Sequence, residues 1–211
     1  GTNDIVKDVQ NLYLVEFEEE RIEYNNKQTR NDRKIENYFE KVCESQNDIA
    51  CEIIIELGDM DFWNDKDEEY RLKMIDVFAE QITDLNVIIP TFKIANATIH
   101  FDETSPHMHL VGVPVIENCT RGMKKKVGKS KLFTKETLTI IQDKMRVACI
   151  KSFNKFYDID YKLKEKGQGR NVDIKVSEMK NYRTLKLQEK DKKQRFVDAN
   201  KKIDNLGKET K

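Results

Sequence analysis

The stretch from Ile99 to Val115, IHFDETSPHMHLVGVPV, limits what this chain can fold into more than any other. Its two ends are β-prone and its middle, Asp102 to Pro106, is turn chemistry, so it predicts a β-hairpin. All three histidines of the 211 residues fall in it: His100, His107 and His109. His107 and His109 are two apart and therefore share one face of a strand. His100 closes the first strand, within reach across the turn. Three imidazoles meeting at a point, with open positions beside them, suit a divalent metal such as Mn, Zn, Co or Ni; Mg is tolerated less readily. Asp102 and Glu103 lie in the turn. They would accept the second N–H of a ligating imidazole or ligate directly. The plainer alternative is a set of polar strand residues with no metal. The gathering of every imidazole argues against it.

The rest of the chain reads as helices and strands around this hairpin. Asp4 to Tyr24 is an amphipathic helix, with Ile5, Val9, Leu12, Phe17 and Ile22 at helical spacing. In Glu23 to Val42, Arg30, Arg33 and Lys34 lie on one potential helix face, opposite Ile35, Tyr38, Phe39 and Val42. Such a face is either simply solvated or touches phosphate. Ile49 to Leu57, IACEIIIEL, reads as a central strand. Asp67 to Leu85 is the clearest amphipathic helix, and Val87 to Phe92 leads into the hairpin. Thr134 opens a further helix, with Thr137 making a partial capping box, that runs to about Tyr157. Val176 to Leu206 is strongly charged with irregular apolar spacing. It reads as a long exposed helix or the start of a coiled coil, which would allow a homodimer.

Charge decides which partners are plausible. Lys and Arg number 38, as do Asp and Glu, so whole-chain charge predicts no polyanion partner. The distribution is uneven. Glu16 to Glu23 is acidic, whereas Arg121 to Lys135 carries seven cations and no acid: Arg121, Lys124, Lys125, Lys126, Lys129, Lys131 and Lys135. Cations following a metal strand suit a phosphodiester backbone. A solvated loop is the competing reading. The four cysteines show no paired spacing, which points to a reducing, cytoplasmic setting. No membrane span or signal peptide is expected. No Ser-His or Cys-His pair is legible as a nucleophile. Tyr13, Tyr24 and Tyr38 offer phenols, and Tyr24, beside the polar NNKQTR run, is the candidate, although such tyrosines are more often structural.

HFDETSPHMHLVGVPV resembles the histidine motif of the Mob/Pre plasmid mobilisation relaxases, H-x-D-E-x-x-P-H-x-H followed by a hydrophobic stretch and Val-Pro. His100, Asp102, Glu103, Pro106, His107, His109, Val113 and Pro114 match every fixed position. EYNNKQTRNDRKIENYFEKV and VGKSKLFTKETLTIIQDKM resemble flanking segments of the same family. The resemblance implies a mixed α and β fold, with an antiparallel HUH-type sheet carrying the histidines, flanked by helices and followed by a long charged C-terminal helix. Expected divisions are an N-terminal helix over 1–22, a relaxase domain over 23–174 and the C-terminal helix over 175–211. The implied activity is nicking of one strand at an origin of transfer by transesterification, leaving the protein joined to the 5′ end. The implied ligands are Mn or Mg on His100, His107 and His109, with Glu103 and Asp102 nearby, and single-stranded or hairpin origin DNA.

One departure bears on the nucleophile. The family's first motif carries an upstream histidine thought to attack phosphorus in at least some members, and no histidine precedes His100 here. The chain opens Gly-Thr-Asn without a Met, and the expectation is that a preceding segment supplies that motif. The alternatives are a tyrosine nucleophile or a chain that binds without cutting. Beside the relaxase stand a non-catalytic DNA-binding or autoregulatory module on the same fold, an HUH replication initiator or transposase, and a three-histidine hydrolase unrelated to DNA.

Overall fold

The computed structural model describes residues 1–165 and, further on, residues 181, 182, 184, 185, 187, 188, 191, 192, 194, 195 and 198, which are helical. The chain divides into two units, Gly1–Lys164 and Glu165–Lys211. Most of the helix expected over 175–211, and the homodimer that rests on it, lie outside the described residues.

The first unit is a mixed fold built on an antiparallel sheet, as expected. Strand β1 is Cys51–Glu56, β2 is Phe92–His100, β3 is His107–Ile116 and β4 is Lys126–Val127. β3 is the centre of the sheet: β1 pairs with one edge, β2 with the other, and β4 joins at the far end of β3. The reading of Ile49–Leu57 as a central strand is corrected here, since β1 is an outer strand among the described residues. Its burial alternates, with Ile55 buried and Ile54 54% exposed. That is the mark of a strand with one face in water; the run of apolar letters concealed it.

Period-2 alternation on β3 divides the core in two. Met108 and Leu110 point to one face, where they join Ile55, Trp63 and Phe92, together with Met74, Val77, Phe78 and Leu85 of helix α5, Met74–Ile88. Ile141, Met145, Phe153 and Tyr157 of helix α7, Lys135–Tyr157, complete that layer. Val113 and Val115 point the other way, onto Val9, Tyr13 and Phe17 of helix α1, Ile5–Asn26. Ile35, Met123, Val127 and Val42 of helix α2, Tyr38–Cys43, close that second core.

Two short helices, α3, Met60–Trp63, and α6, Lys129–Leu132, complete the order. Two helical expectations are revised. Asp67–Leu85 is two helices, α4 over Glu68–Leu72 and α5, each in its own register, with Asp67 capping the first by accepting from the Tyr70 amide at 2.7 Å. Arg30, Arg33 and Lys34 do not share a helix face. They lie in and around a 3-10 turn, Asn31–Arg33, between α1 and α2. The cause is Asn25, whose amide donates to the Ile35 carbonyl and accepts from its amide, both at 2.8 Å. A side chain that satisfies the backbone of a loop removes the incentive to stay helical. Thr134 caps α7 as expected, its hydroxyl accepting from the Thr137 amide at 3.2 Å. Among the described residues no helix is long and apolar enough to cross a membrane.

A candidate metal centre at the open end of the sheet

Strands β2 and β3 place the three imidazoles together, and a bulge makes this work. In β2, Phe92 and Ile94 pack into the α5–α7 core, and so do Ala97, Ile99 and Phe101. Even-numbered residues face that core at the start of the strand and odd-numbered ones at its end. The register shifts between Ile94 and Asn96. One extra residue in a strand re-aims every side chain beyond it. Without it His100 would turn toward the apolar core. With it, His100 stands directly opposite His107, and Thr98 opposite His109.

The three rings are mutually adjacent. His100 and His107 stack with centroids 5.2 Å apart, and His109 lies 5.0 Å from each. His107 is buried; His100 and His109 are partly exposed. His107 Nδ1 lies 2.9 Å from the Ser105 carbonyl, which can only accept, so Nδ1 carries the proton and Nε2 is left to ligate. The Ser105 hydroxyl in turn donates to the Glu56 carboxylate. His109 Nδ1 lies 2.7 Å from Glu52 Oε1. His100 Nδ1 stands 3.6 Å from Asp102 Oδ1, too far for a hydrogen bond.

Glu103, in the exposed turn, completes a compact donor set. Ligand atoms of His100, Glu103 and His107 all lie within 4.8 Å of one another. Donors bound at about 2.0–2.2 Å from an ion stand up to about twice that apart, so this spread is close to binding geometry. Two imidazoles and a carboxylate, with a third imidazole alongside, suit a borderline divalent ion. The residue types and their tied-off Nδ1 atoms therefore fit a metal. Asp102 is 83% exposed at its side chain and stays at the rim.

Other candidates fall elsewhere. α1 begins beside β2, where Asn96 Nδ2 donates to Asp8 at 2.7 Å, and its middle passes the basic loop, where Glu16 pairs with Lys125 at 2.6 Å. It therefore runs away from the histidines. Tyr24 lies about 24 Å further along its axis than Asp8, and the phenol is not brought to the cluster. The loop carrying Arg121, Lys124, Lys125 and Lys126 follows the far end of β3. From His109 to Ile116 that strand covers about 20–25 Å. Adjacency in sequence is not adjacency in space here. Within this region Lys126 Nζ donates to the Arg121 carbonyl and Lys129 pairs with Asp48 at 3.2 Å, while Arg121, Lys124 and Lys131 are exposed. Arg30 is paired with Asp32 at 2.6 Å; Arg33 and Lys34 are exposed. A cavity of about 1610 Å³ opens beside β1, walled by Ile53, Ile55, Phe133, Ile141 and Met145; no histidine lines it.

Sequence reasoning missed Glu52 and Glu56. Both sit on β1, about fifty residues before the motif, and only the pairing of Glu56 with His107 and Ile54 with His109 brings them alongside. A glutamate at alternate positions of an apolar strand was the available signal.

Comparison with known proteins follows the same line. Three solved structures of the MobM relaxase domain (MOBV; Mob_Pre) resemble the chain. One, Mn-bound at pH 5.5 with 22-nucleotide oriT DNA of plasmid pMV158, is 24% identical, covers 78% of this chain and 72% of its own, and has a TM-score of 0.46. A second, Mn-bound at pH 6.8 with the same DNA carrying a 3′ thiophosphate, is 22% identical over 78% and 71%, with a TM-score of 0.44. A third, with 26-nucleotide oriT DNA, is 23% identical over 73% and 76%, with a TM-score of 0.36. No curated protein sequence matches. The family profile described as plasmid recombination enzyme, Mob_Pre, matches residues 3–184, most of the chain, and the chain accordingly belongs to that family.

Proposed function

We propose that this domain is a metal-dependent DNA relaxase module acting on single-stranded or hairpin origin-of-transfer DNA. The observation that carries the reading is the gathering of His100, His107 and His109 beside Glu103, with the Nδ1 atoms of His107 and His109 already committed. Mn2+ or Mg2+ are the ions proposed, in keeping with family membership and with the Mn-bound MobM relaxase domain. When bound, such an ion polarises a phosphoryl oxygen as a Lewis acid. His100, His107 and Glu103 would hold it, with His109 adjoining. The Ser105 carbonyl keeps the proton of His107 on Nδ1, so Nε2 stays available. Asp102 and Glu103, exposed in the turn, leave the mouth of the site open to an extended strand.

In the proposed reaction a protein nucleophile bonds to phosphorus, the bond from phosphorus to the 3′ oxygen breaks, and that oxygen leaves as a 3′-OH after taking a proton. The 5′ end stays on the protein. None of the three imidazoles is free for the attack, and Tyr24 is too far along α1. The test incubates the full-length native protein with Mn2+ and an origin oligonucleotide labelled at both ends, with EDTA as control. A covalent adduct to the 5′ fragment is expected, and Tyr24→Phe should leave its yield unchanged. DNA binding without any adduct would instead assign a non-catalytic binding module.

A further inference from the structure

We propose that Glu56, acting through Ser105, is a positioning residue for Glu103: it clasps the hairpin turn to the outer strand and so keeps the Glu103 carboxylate in the donor set. The inference rests on the metal reading above. His100 stands at the end of β2, and His107 and His109 stand in β3; Glu103 alone belongs to the turn. Donors on strands are placed more precisely than donors on loops. Asp102 gives the turn no anchor, since its carboxylate is 83% exposed and 3.6 Å from His100. Among the described residues, the bond that the Ser105 hydroxyl donates to the Glu56 carboxylate is the hydrogen bond that ties the turn to another strand.

The placement follows from the ladder. Glu56 is paired with His107 across β1 and β3. Ser105 lies two residues before His107, where an extended chain returns to the same face. The carboxylate therefore reaches it diagonally, as long side chains can. Ser105 is 6% exposed, and a buried hydroxyl without a partner is costly. Pro106 stiffens the link between them. Its ring fixes its own φ and restricts Ser105 to extended backbone. Holding the Ser105 hydroxyl thus sets the direction in which the chain leaves the strand, and Glu103 sits two residues further back. A bond that only satisfied a buried hydroxyl would contribute to stability and nothing else. A bond that holds a ligand's turn also shows in metal affinity, where the outer partners of ligands are worth about 10–100-fold.

The experiment titrates Mn2+ into the metal-free protein by calorimetry, in the wild-type and in the Glu103→Ala background. Before metal is added, 15N relaxation follows the amides of Asp102, Glu103 and Thr104. Glu56→Ala should weaken Mn2+ about 10-fold and raise the mobility of those amides. In the Glu103→Ala background it should change the affinity little, because the group it positions is gone; such a cycle isolates the coupling of two residues. Glu56→Gln keeps an acceptor oxygen for Ser105 and should stay close to wild type in both readouts. Ser105→Ala breaks the same bond from the other side and should reproduce Glu56→Ala. Unchanged affinity in Glu56→Ala overturns the proposal. So does an equal loss with and without Glu103, which would make Glu56 a support of the strand alone. Wild-type protein that takes up no Mn2+ overturns the metal reading on which the proposal rests, while the turn amides still decide whether Glu56 holds the turn.

Discussion

At the scale of single residues, the start of α1 is fastened to the sheet by one carboxylate. Asp8 accepts from the Asn96 amide at 2.7 Å, the Thr2 backbone N–H at 2.6 Å and the Thr2 hydroxyl at 3.1 Å. These bonds, that from Asn96 first, hold its pKa below the ordinary 3.8. A depressed carboxylate pKa stabilises the fold above the unfolded value, and that contribution fades as pH falls through the folded value. Melting temperatures of the wild type and Asp8→Asn should therefore differ at pH 6, and the gap should narrow as pH falls below 3.8. A gap that stays constant down to pH 2 would mean the carboxylate charge plays no part. Asn96 matters beyond this bond. It is the first residue after the bulge, two before Thr98 and four before His100 on the same face, so the anchor of α1 and the aim of His100 meet at one position.

The bulge is also where elements decide more than residues. Gly112 of β3 lies opposite Ile94, next to the register shift. A Cβ there would meet the Phe92 ring at 2.6 Å and the Lys93 carbonyl oxygen at 2.7 Å. The ring could turn aside, but the carbonyl belongs to the strand backbone just before the bulge. Gly112→Ala should destabilise the domain by about 1–3 kcal/mol, measured by urea unfolding; a stability equal to wild type would show that the bulge has slack. This explains what could be read beforehand. The hairpin was legible because turn residues separate two β-prone runs, and the shared face of His107 and His109 follows from period 2. That His100 joins them depended on a shift that letters do not mark. The edge position of β1 was hidden by IACEIIIEL, and Glu52 with it, because strand order decides which strands keep a wet face. Asn25 broke the expected continuous helix through a contact ten residues away.

Over the whole molecule the charge is balanced, 38 against 38, so attraction to a polyanion has to be local. The sequence places its densest cations directly after the metal strand, yet β3 carries them to the other end of the sheet. There the acidic face of α1 meets them: Glu16 pairs with Lys125, and Glu20 accepts from the Lys124 amide at 2.7 Å. The two uneven charge runs of the sequence are thus partly spent on each other, docking a loop onto a helix. On the proposed function, DNA lying at the histidines would reach Arg121 and Lys124 only by continuing along the domain. Length of the oligonucleotide should then govern the salt dependence. Each phosphate contact of a single strand contributes about 0.7 to the slope of log affinity against log salt. The double variant Arg121→Ala with Lys124→Ala leaves the Lys125 bridge and the backbone bond of Lys124 in place. With an oligonucleotide just long enough to cover the histidine end, its slope should equal that of wild type. With one spanning the domain, the slope should fall by up to about 1.4, two contacts' worth. Fluorescence anisotropy over a series of salt concentrations reads both. A reduced slope already with the short oligonucleotide would place the loop beside the histidines and contradict this arrangement.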